Sequence, residues 1–317
     1  MRAIPKPLKT RLRNSYLEDV PMIRAIVLGI AGSAPTKERH LPCIVLVREG
    51  DMLMFDCGEG TQFQLLNFGL NAVRIKAIFL SHAHGDHTIG IAGLVRTMAL
   101  NSRKEPLHIF VPEGYEKIVN SLIVFDKALI TYPIIIKGVK QGVVYRGKGY
   151  QVSAFRLNHT IPTYGYVFKE DDRLKFITEK AKKAGLKGAM FSELLKKGSM
   201  TVKGRRISVG QLTNRQAGKK VVYAADSRPT STTVTASAGA DLLIHEASYS
   251  RAEKELAVKR RHSTAEEAAE IAKKAKVKRL LLTHISARHR DTTEFIREAK
   301  RIFPKAEIAK EGEAIEL

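Results

Sequence analysis

The chain has no tryptophan, only two cysteines, and 32 acidic residues against 54 basic ones. Each shortage excludes something. Cys43 and Cys57 are too few for a disulfide framework or a thiolate zinc ribbon in 317 residues. Both sit in apolar, strand-like runs, LPCIVLV and MFDCGEG, so a reducing cytoplasm is the expected setting. No apolar stretch approaches the length of a membrane span, and no contact with a membrane is expected. The opening segment, MRAIPKPLKTRLRNSYLEDVP, is basic but lacks the continuous apolar core of a secretory signal. There is no repeat at solenoid spacing and no low-complexity tract. The shortage of acids leaves a formal charge of +22, which attracts polyanions such as RNA, DNA or an anionic membrane surface.

What is present is the patterning of a layered α/β fold. Short apolar runs predict strands at 23–29, 44–48, 51–55, 76–80, 107–111, 151–157, 220–224, 241–245 and 278–283. Helical periodicity falls at 60–68, 89–101, 114–124, 265–275 and 292–301, with Thr264 and Glu267 forming a capping box. Strands interleaved with helices imply sheets covered by helices. Between Lys169 and Lys220 that rhythm breaks: fifteen basic residues stand against five acids, nearly half the whole excess. The thinly spaced Leu186, Met190, Phe191, Leu194 and Leu195 suit a small helical arm without a core of its own. The expected organisation is a basic extension over residues 1–21, then one domain over 22–317 with an exposed arm inserted at about 170–218.

The chemistry is concentrated in His82-Ala83-His84-Gly85-Asp86-His87, directly after the apolar run KAIFLS. A lone histidine is usually an ordinary core or surface residue, but four ligand-type side chains in six positions are not. If the strand continues, His82 and His84 share a face by its period of two. The turn at Gly85 then aims Asp86 and His87 at a neighbouring point. That geometry suits two adjacent metals, one on the histidine pair and one on the Asp-His pair. Further ligand types follow later apolar strands: His159 in LNHT, Asp226 in AADS and His284 in THIS. All are expected to collect along one sheet edge, giving two metals a shared carboxylate and open positions. Imidazole and carboxylate without thiolate favour two Zn²⁺, with Mn²⁺, Fe²⁺ or Co²⁺ as substitutes.

This HxHxDH pattern with separated His, Asp and His resembles the metallo-β-lactamase superfamily, from about Met22 onward. The resemblance implies a four-layer αβ/βα sandwich with the metals at one edge between the sheets, but it leaves the substrate open. Shorter motifs are similar to those of the ribonuclease Z family, the tRNA 3′-processing endonucleases. Phe55 to Gln62 reads FDCGEGTQ; residues 35–40 read PTKERH, with His40 where asparagine is usual. Residues 245–248 read HEAS and residues 262–264 read HST. The arm falls where that family inserts its tRNA-binding exosite, with Gly188-Ala189 where Gly-Pro is usual; His289 stands where tyrosine is common.

The resemblance implies cleavage of precursor tRNA by a hydroxide shared between two metals bridged by Asp226. It leaves a 3′-hydroxyl on the tRNA and a 5′-phosphate on the trailer. Asp86 is expected to take up or orient the water proton. His262 would protonate the leaving oxygen, with Glu246 orienting it and raising its pKa. Asp56 and Glu59 read as loop hydrogen-bond acceptors. Lys37, Arg39 and Arg288 are expected to hold phosphates near the metals, and Lys182, Lys183, Lys196 and Lys197 to grip the folded tRNA from the arm. The family also implies a homodimer in which one subunit's arm serves the other's site. Two competing readings are a small-molecule phosphodiesterase or sulfatase on the same fold, and an RNA-binding module with a structural metal.

Overall fold

In the strand Ile23–Gly29 every residue but one is buried, and its side chains part by a period of two. Ile23, Ala25 and Val27 enter one apolar cluster, while Ile26 and Leu28 enter another. Asp51–Phe55 divides the same way, Leu53 and Phe55 to the first cluster and Met52 and Met54 to the second. A strand apolar on both faces must be covered on both, and this requirement generates the layers.

The structure is a computed structural model that describes residues 23–124 and 129–317; the extension expected over 1–21 lies outside the described residues. One seven-stranded sheet has the spatial order Ala314–Glu316, Ile23–Gly29, Cys43–Arg48, Asp51–Phe55, Ile75–Phe79, Leu107–Pro112, Ile134–Val139. The other runs Ala306–Ile308, Leu280–Thr283, Leu242–Glu246, Lys220–Ala224, Tyr164–Glu170, Tyr150–Arg156, Gly142–Gly147. Phe55 and Phe79 of the first sheet pack on Tyr166 and Tyr223 of the second, with ring centroids 5.4 to 6.0 Å apart. The helices Thr61–Asn67, Gly90–Leu100 and Glu116–Val124 cover the outside of the first sheet; Ser231–Ser237, Ala265–Lys274 and Thr293–Ile302 cover the second. The result is the four-layer αβ/βα metallo-β-lactamase sandwich. Each sheet has a parallel half, in which successive strands deliver their carboxyl ends to one end of the molecule.

The expected strands at 23–29, 51–55 and 220–224 have their observed bounds. Within these two sheets five strands were not anticipated: Ile134–Val139, Gly142–Gly147, Tyr164–Glu170, Ala306–Ile308 and Ala314–Glu316. Four of these are edge strands, short or interrupted by glycine and charge, so they carry no clean alternation. The helix Ser231–Ser237 was hidden by its serines and threonines, which favour it only through the cap: the Thr230 side chain accepts from the Thr233 N–H.

The inserted segment departs from expectation by having a small core. Arg173–Phe176 pairs with Thr213–Gln216 as a stalk, carrying the helices Thr178–Lys183 and Met190–Lys197 and the hairpin Ser199–Val202/Arg205–Ser208. Ala181, Leu186, Leu194, Val202 and Leu212 are buried together, and Phe176 meets Phe191 edge-on at 4.9 Å. Strand residues unrecognised in the sequence complete what the helices alone could not cover. Gly188 takes φ 47° and Ala189 φ −60°, a value a proline ring would also impose. The stalk leaves from the Glu170 end of Tyr164–Glu170; at the opposite end, Tyr164 N–H donates to the Ser81 carbonyl at 2.9 Å. Seven strand residues separate the two ends, about 20 Å.

Candidate metal centre and its surroundings

The strand Ile75–Phe79 stops before the histidine motif, so His82 and His84 lie on an extended loop rather than on a strand. His84, at φ −64° and ψ 148°, precedes one helical turn, Gly85–Thr88, which turns Asp86 and His87 inward. A second correction concerns where the ligand types gather. They do not share one sheet edge: His82, His84, Asp86 and His87 follow the first sheet, and His159, Asp226 and His284 follow the second. They meet because the parallel strands of both sheets end on the same side, as does Tyr150–Arg156, which lies in the antiparallel half but runs in the same direction as Lys220–Ala224.

Two sets result. His82, His84, His159 and Asp226 bring one ligand atom each within 4.8 Å of one another, and so do Asp86, His87 and His284. Asp226 Oδ2 lies 3.7 Å from His82 Nε2 and 3.8 Å from His159 Nε2; Oδ1 lies 3.5 Å from His87 Nε2 and 3.1 Å from His284 Nε2. One carboxylate thus presents an oxygen to each set. Asp86 Oδ2 accepts the Ser33 N–H at 2.9 Å and lies 3.5 Å from His87 Nε2.

Hydrogen bonds behind the rings determine which nitrogen faces inward. His159 Nδ1–H donates to the Arg261 carbonyl at 3.0 Å and His87 Nδ1–H to Asp56 Oδ2 at 2.7 Å. The Ser81 hydroxyl donates to Asp56 Oδ2 (2.8 Å) and so accepts from His82 Nδ1 (2.8 Å). The Ser248 hydroxyl, 2.7 Å from Glu246 Oε2, likewise serves His284 Nδ1 at 2.9 Å. Each arrangement leaves Nε2 for the centre. Asp56 also accepts from the Ser81 N–H (2.6 Å) and the Tyr223 hydroxyl (2.6 Å), so it is the acceptor the loop reading expected. Its hold on His87 was not read from the sequence. The available signal was its place just past the strand Asp51–Phe55, beside the strand that carries the histidine motif.

This arrangement fits a cation. His159 Nε2 is buried with no hydrogen-bond partner, and Nε2 of His82 faces Nδ1 of His84 at 3.0 Å. Burial holds His82 well below the usual imidazole range and lowers His84 and His159, so their lone pairs stay free. Against the cost of burial, Asp226, Asp56 and Asp86 hold His87 well above that range. Burial opposes ionisation of Asp86 and Asp226 too, but the neighbouring His87 and His284 keep both carboxyls below the usual range. Asp56 holds the His87 ring with Nε2 turned to the centre, so Asp56→Asn is expected to weaken metal affinity about 10–100-fold. Competition with a chromophoric chelator measures it, and unchanged affinity would make Asp56 a fold residue only.

Beside the ligands stands a second pair. Glu246, fully buried at the end of Leu242–Glu246, accepts from Ser227 N–H (2.7 Å), Ser248 N–H (3.2 Å) and His262 Nδ1–H (3.0 Å). Burial disfavours the charged ring, but Glu246, with Asp226, outweighs it and lifts His262 to about 9. His262 Nδ1 is also 3.9 Å from Asp226 Oδ2, and these two group with His284 as a third ligand-type set; the Glu246 bond occupies that nitrogen. Arg228 fixes the loop, donating to the His262 carbonyl (2.5 Å) and to Glu267 Oε2 (2.8 Å). Ser33, Asp56, Arg261 and His284 have φ of 65°, 57°, 56° and 56°; these are four of the eight non-glycine residues with positive φ among the described residues.

The expected phosphate contacts are less uniform. Lys37 is exposed. Arg39 is buried and its Nη2 donates to the His289 carbonyl, closing its loop, while its Nη1 has no hydrogen-bond partner among the described residues. Arg288 is exposed and stacks over Tyr249 at 5.4 Å, and the Tyr249 ring is 5.9 Å from that of His262. His40 pairs with Glu311 at 2.7 Å, and His289 Nε2 lies 2.9 Å from Glu253 without hydrogen-bond alignment. Lys182, Lys183, Lys196 and Lys197 are exposed on the arm and are not gathered with the centre; Lys197 is paired with Glu193 at 2.6 Å. Among the described residues, no helix is long and apolar enough to cross a membrane.

The chain is similar to known proteins over most of its length. A family model described as anti-Pycsar protein Apyc1 matches residues 23–197, and one for the beta-lactamase superfamily domain matches residues 196–285. Over 302 residues the chain is 38% identical to "Ribonuclease Z" of Archaeoglobus fulgidus, covering 93% of this chain and 98% of that protein. Over 297 residues it is 40% identical to "Ribonuclease Z" of Gemmatimonas aurantiaca, covering 92% and 94%. The structure of the short form of human tRNase Z superposes with a TM-score of 0.68 at 26% identity, covering 92% of this chain and 98% of that one.

Proposed function

This chain belongs to the ribonuclease Z family, and on that premise we propose that it removes the 3′ trailer from precursor tRNA, using two zinc ions per subunit. It is a metal-dependent phosphodiester hydrolase on the metallo-β-lactamase fold. The observation that carries the finer reading is the division of the two Asp226 oxygens between two ligand sets, with the Glu246–His262 pair alongside.

His82, His84, His159 and Asp226 would hold one metal, and Asp86, His87, His284 and Asp226 the other. When bound, the metals supply Lewis acidity toward the phosphate and acidify water. The chain's own groups do the rest. Asp86, kept ionised, orients the attacking water and takes its proton. His262 carries a proton on a ring whose Nδ1 is engaged by Glu246, and it delivers that proton to the leaving 3′ oxygen. The products are a tRNA 3′-hydroxyl and a trailer 5′-phosphate. Exposed Lys37 and Arg288 meet phosphates near the centre; Lys182, Lys183 and Lys196, which form no ion pair among the described residues, meet them from the arm. The arm leaves the fold about 20 Å from the centre's end, which favours a homodimer in which each arm serves its partner's site. Two buried free thiols, Cys43 and Cys57, suit a reducing cytoplasm.

Incubating the protein with a 3′-extended tRNA and mapping both new ends tests this reading. Cleavage at the trailer junction is expected, with loss on chelation and recovery on adding Zn²⁺. Cleavage insensitive to chelator, or activity confined to small esters, would sink it.

A further inference from the structure

The arm's acids are not spread over it. Of its five, Glu170, Asp171 and Asp172 stand together where it joins the sandwich. Glu170 is buried, its side chain 3% exposed, and its carboxylate is shared. Oε1 accepts from Arg48 Nε at 2.7 Å and from Arg173 Nη2 at 2.6 Å; Oε2 accepts from the Lys219 N–H at 3.1 Å. Arg48 ends the strand Cys43–Arg48 of the other sheet. It also donates to the Lys148 carbonyl at 3.1 Å, and its guanidinium lies 5.5 Å from the Tyr150 ring centroid. Asp172 pairs with Arg215 (2.8 Å) and accepts the Gly218 N–H (3.0 Å), tying the incoming and outgoing strands of the stalk. One buried carboxylate therefore links the first sheet, the incoming stalk strand and the returning chain.

We propose that the Arg48–Glu170–Arg173 cluster is a positioning device for the substrate: it sets the angle at which the arm stands on the sandwich, and so the affinity for folded precursor tRNA, without touching the RNA. The proposal rests on the arm gripping that substrate. A two-stranded stalk carrying a cationic head is a lever, and a small rotation at its root displaces the head by several times as much. A buried ion pair with a shared carboxylate fixes that rotation more tightly than an exposed pair does, because its charges have no water to turn to. Glu170 lies at the end of its strand farthest from the metal centre, so a change there moves substrate binding and leaves the chemistry intact.

The test compares cleavage of a 3′-extended tRNA with that of bis(p-nitrophenyl) phosphate in four variants, with Arg48→Lys as a rescue control. The four are Arg48→Met, Glu170→Gln, a chain with residues 178–212 replaced by a short glycine-serine turn, and that replacement combined with Arg48→Met. Each point variant is expected to raise KM for the tRNA about tenfold, with kcat on the small ester unchanged. Arg48→Lys, which keeps a cation on Glu170, should recover most of the loss. In the armless chain KM is already high, and Arg48→Met adds nothing to it. If the armless chain binds tRNA poorly while both point variants bind normally, the positioning role is overturned and the arm's role stands. If the armless chain binds normally, both fail. If Arg48→Met lowers small-ester turnover as much as tRNA turnover, the cluster is only part of the fold and the proposal is overturned.

Discussion

Asp226→Asn is expected to empty both metal positions and to lower precursor tRNA turnover by about 10³-fold or more. The argument is geometric. Removing any one histidine weakens one set, but Asp226 contributes an oxygen to each. Asparagine keeps the volume and one carbonyl oxygen but brings an amide that cannot bind a cation and has no acceptor aimed at it. The side chain is 3% exposed, so water cannot substitute. Metal analysis of the purified variant, with melting to confirm folding, reads the result directly. Retention of two metals per subunit would remove Asp226 from its bridging role.

His262→Ala should lower kcat on precursor tRNA by about 10²–10⁴-fold, with metal content intact. Its Nδ1 is committed to Glu246, which keeps the Ser227 and Ser248 donors when the ring is removed. A proton donor matters in proportion to how poor the leaving group is. An alkoxide on a tRNA 3′ end needs the proton; a p-nitrophenolate does not. The same variant should therefore lose far less on bis(p-nitrophenyl) phosphate. Equal losses on both substrates, or loss of metal, would make His262 a ligand or a structural residue.

The centre was more legible in the sequence than the fold around it. His82 to His87 crowd ligand types into six positions, a density that ordinary cores do not produce, and His159, Asp226 and His284 each follow an apolar strand within three residues. What the sequence could not show was that two sheets supply them, because nothing local distinguishes a strand of one sheet from a strand of the other. Edge strands such as Gly142–Gly147 were missed for a related reason: half-exposed, they have no strict alternation to read. Arg39 shows the limit for surface residues. In PTKERH it is indistinguishable from Lys37, and only the His289 carbonyl, 250 positions away, marks it as buried. The arm's core was invisible because hairpins, not helices, complete it.

The left-handed backbones at Ser33, Asp56, Arg261 and His284 bear on how the protein can change. Each holds a side-chain-bearing residue in a conformation costing on the order of 1 kcal/mol or more, which glycine would occupy freely. Glycine at Asp56 or His284 would remove that strain together with the group the reaction uses. At those two positions backbone strain and function are held by the same residue, whereas at Ser33 the centre takes only the backbone N–H, which glycine would keep.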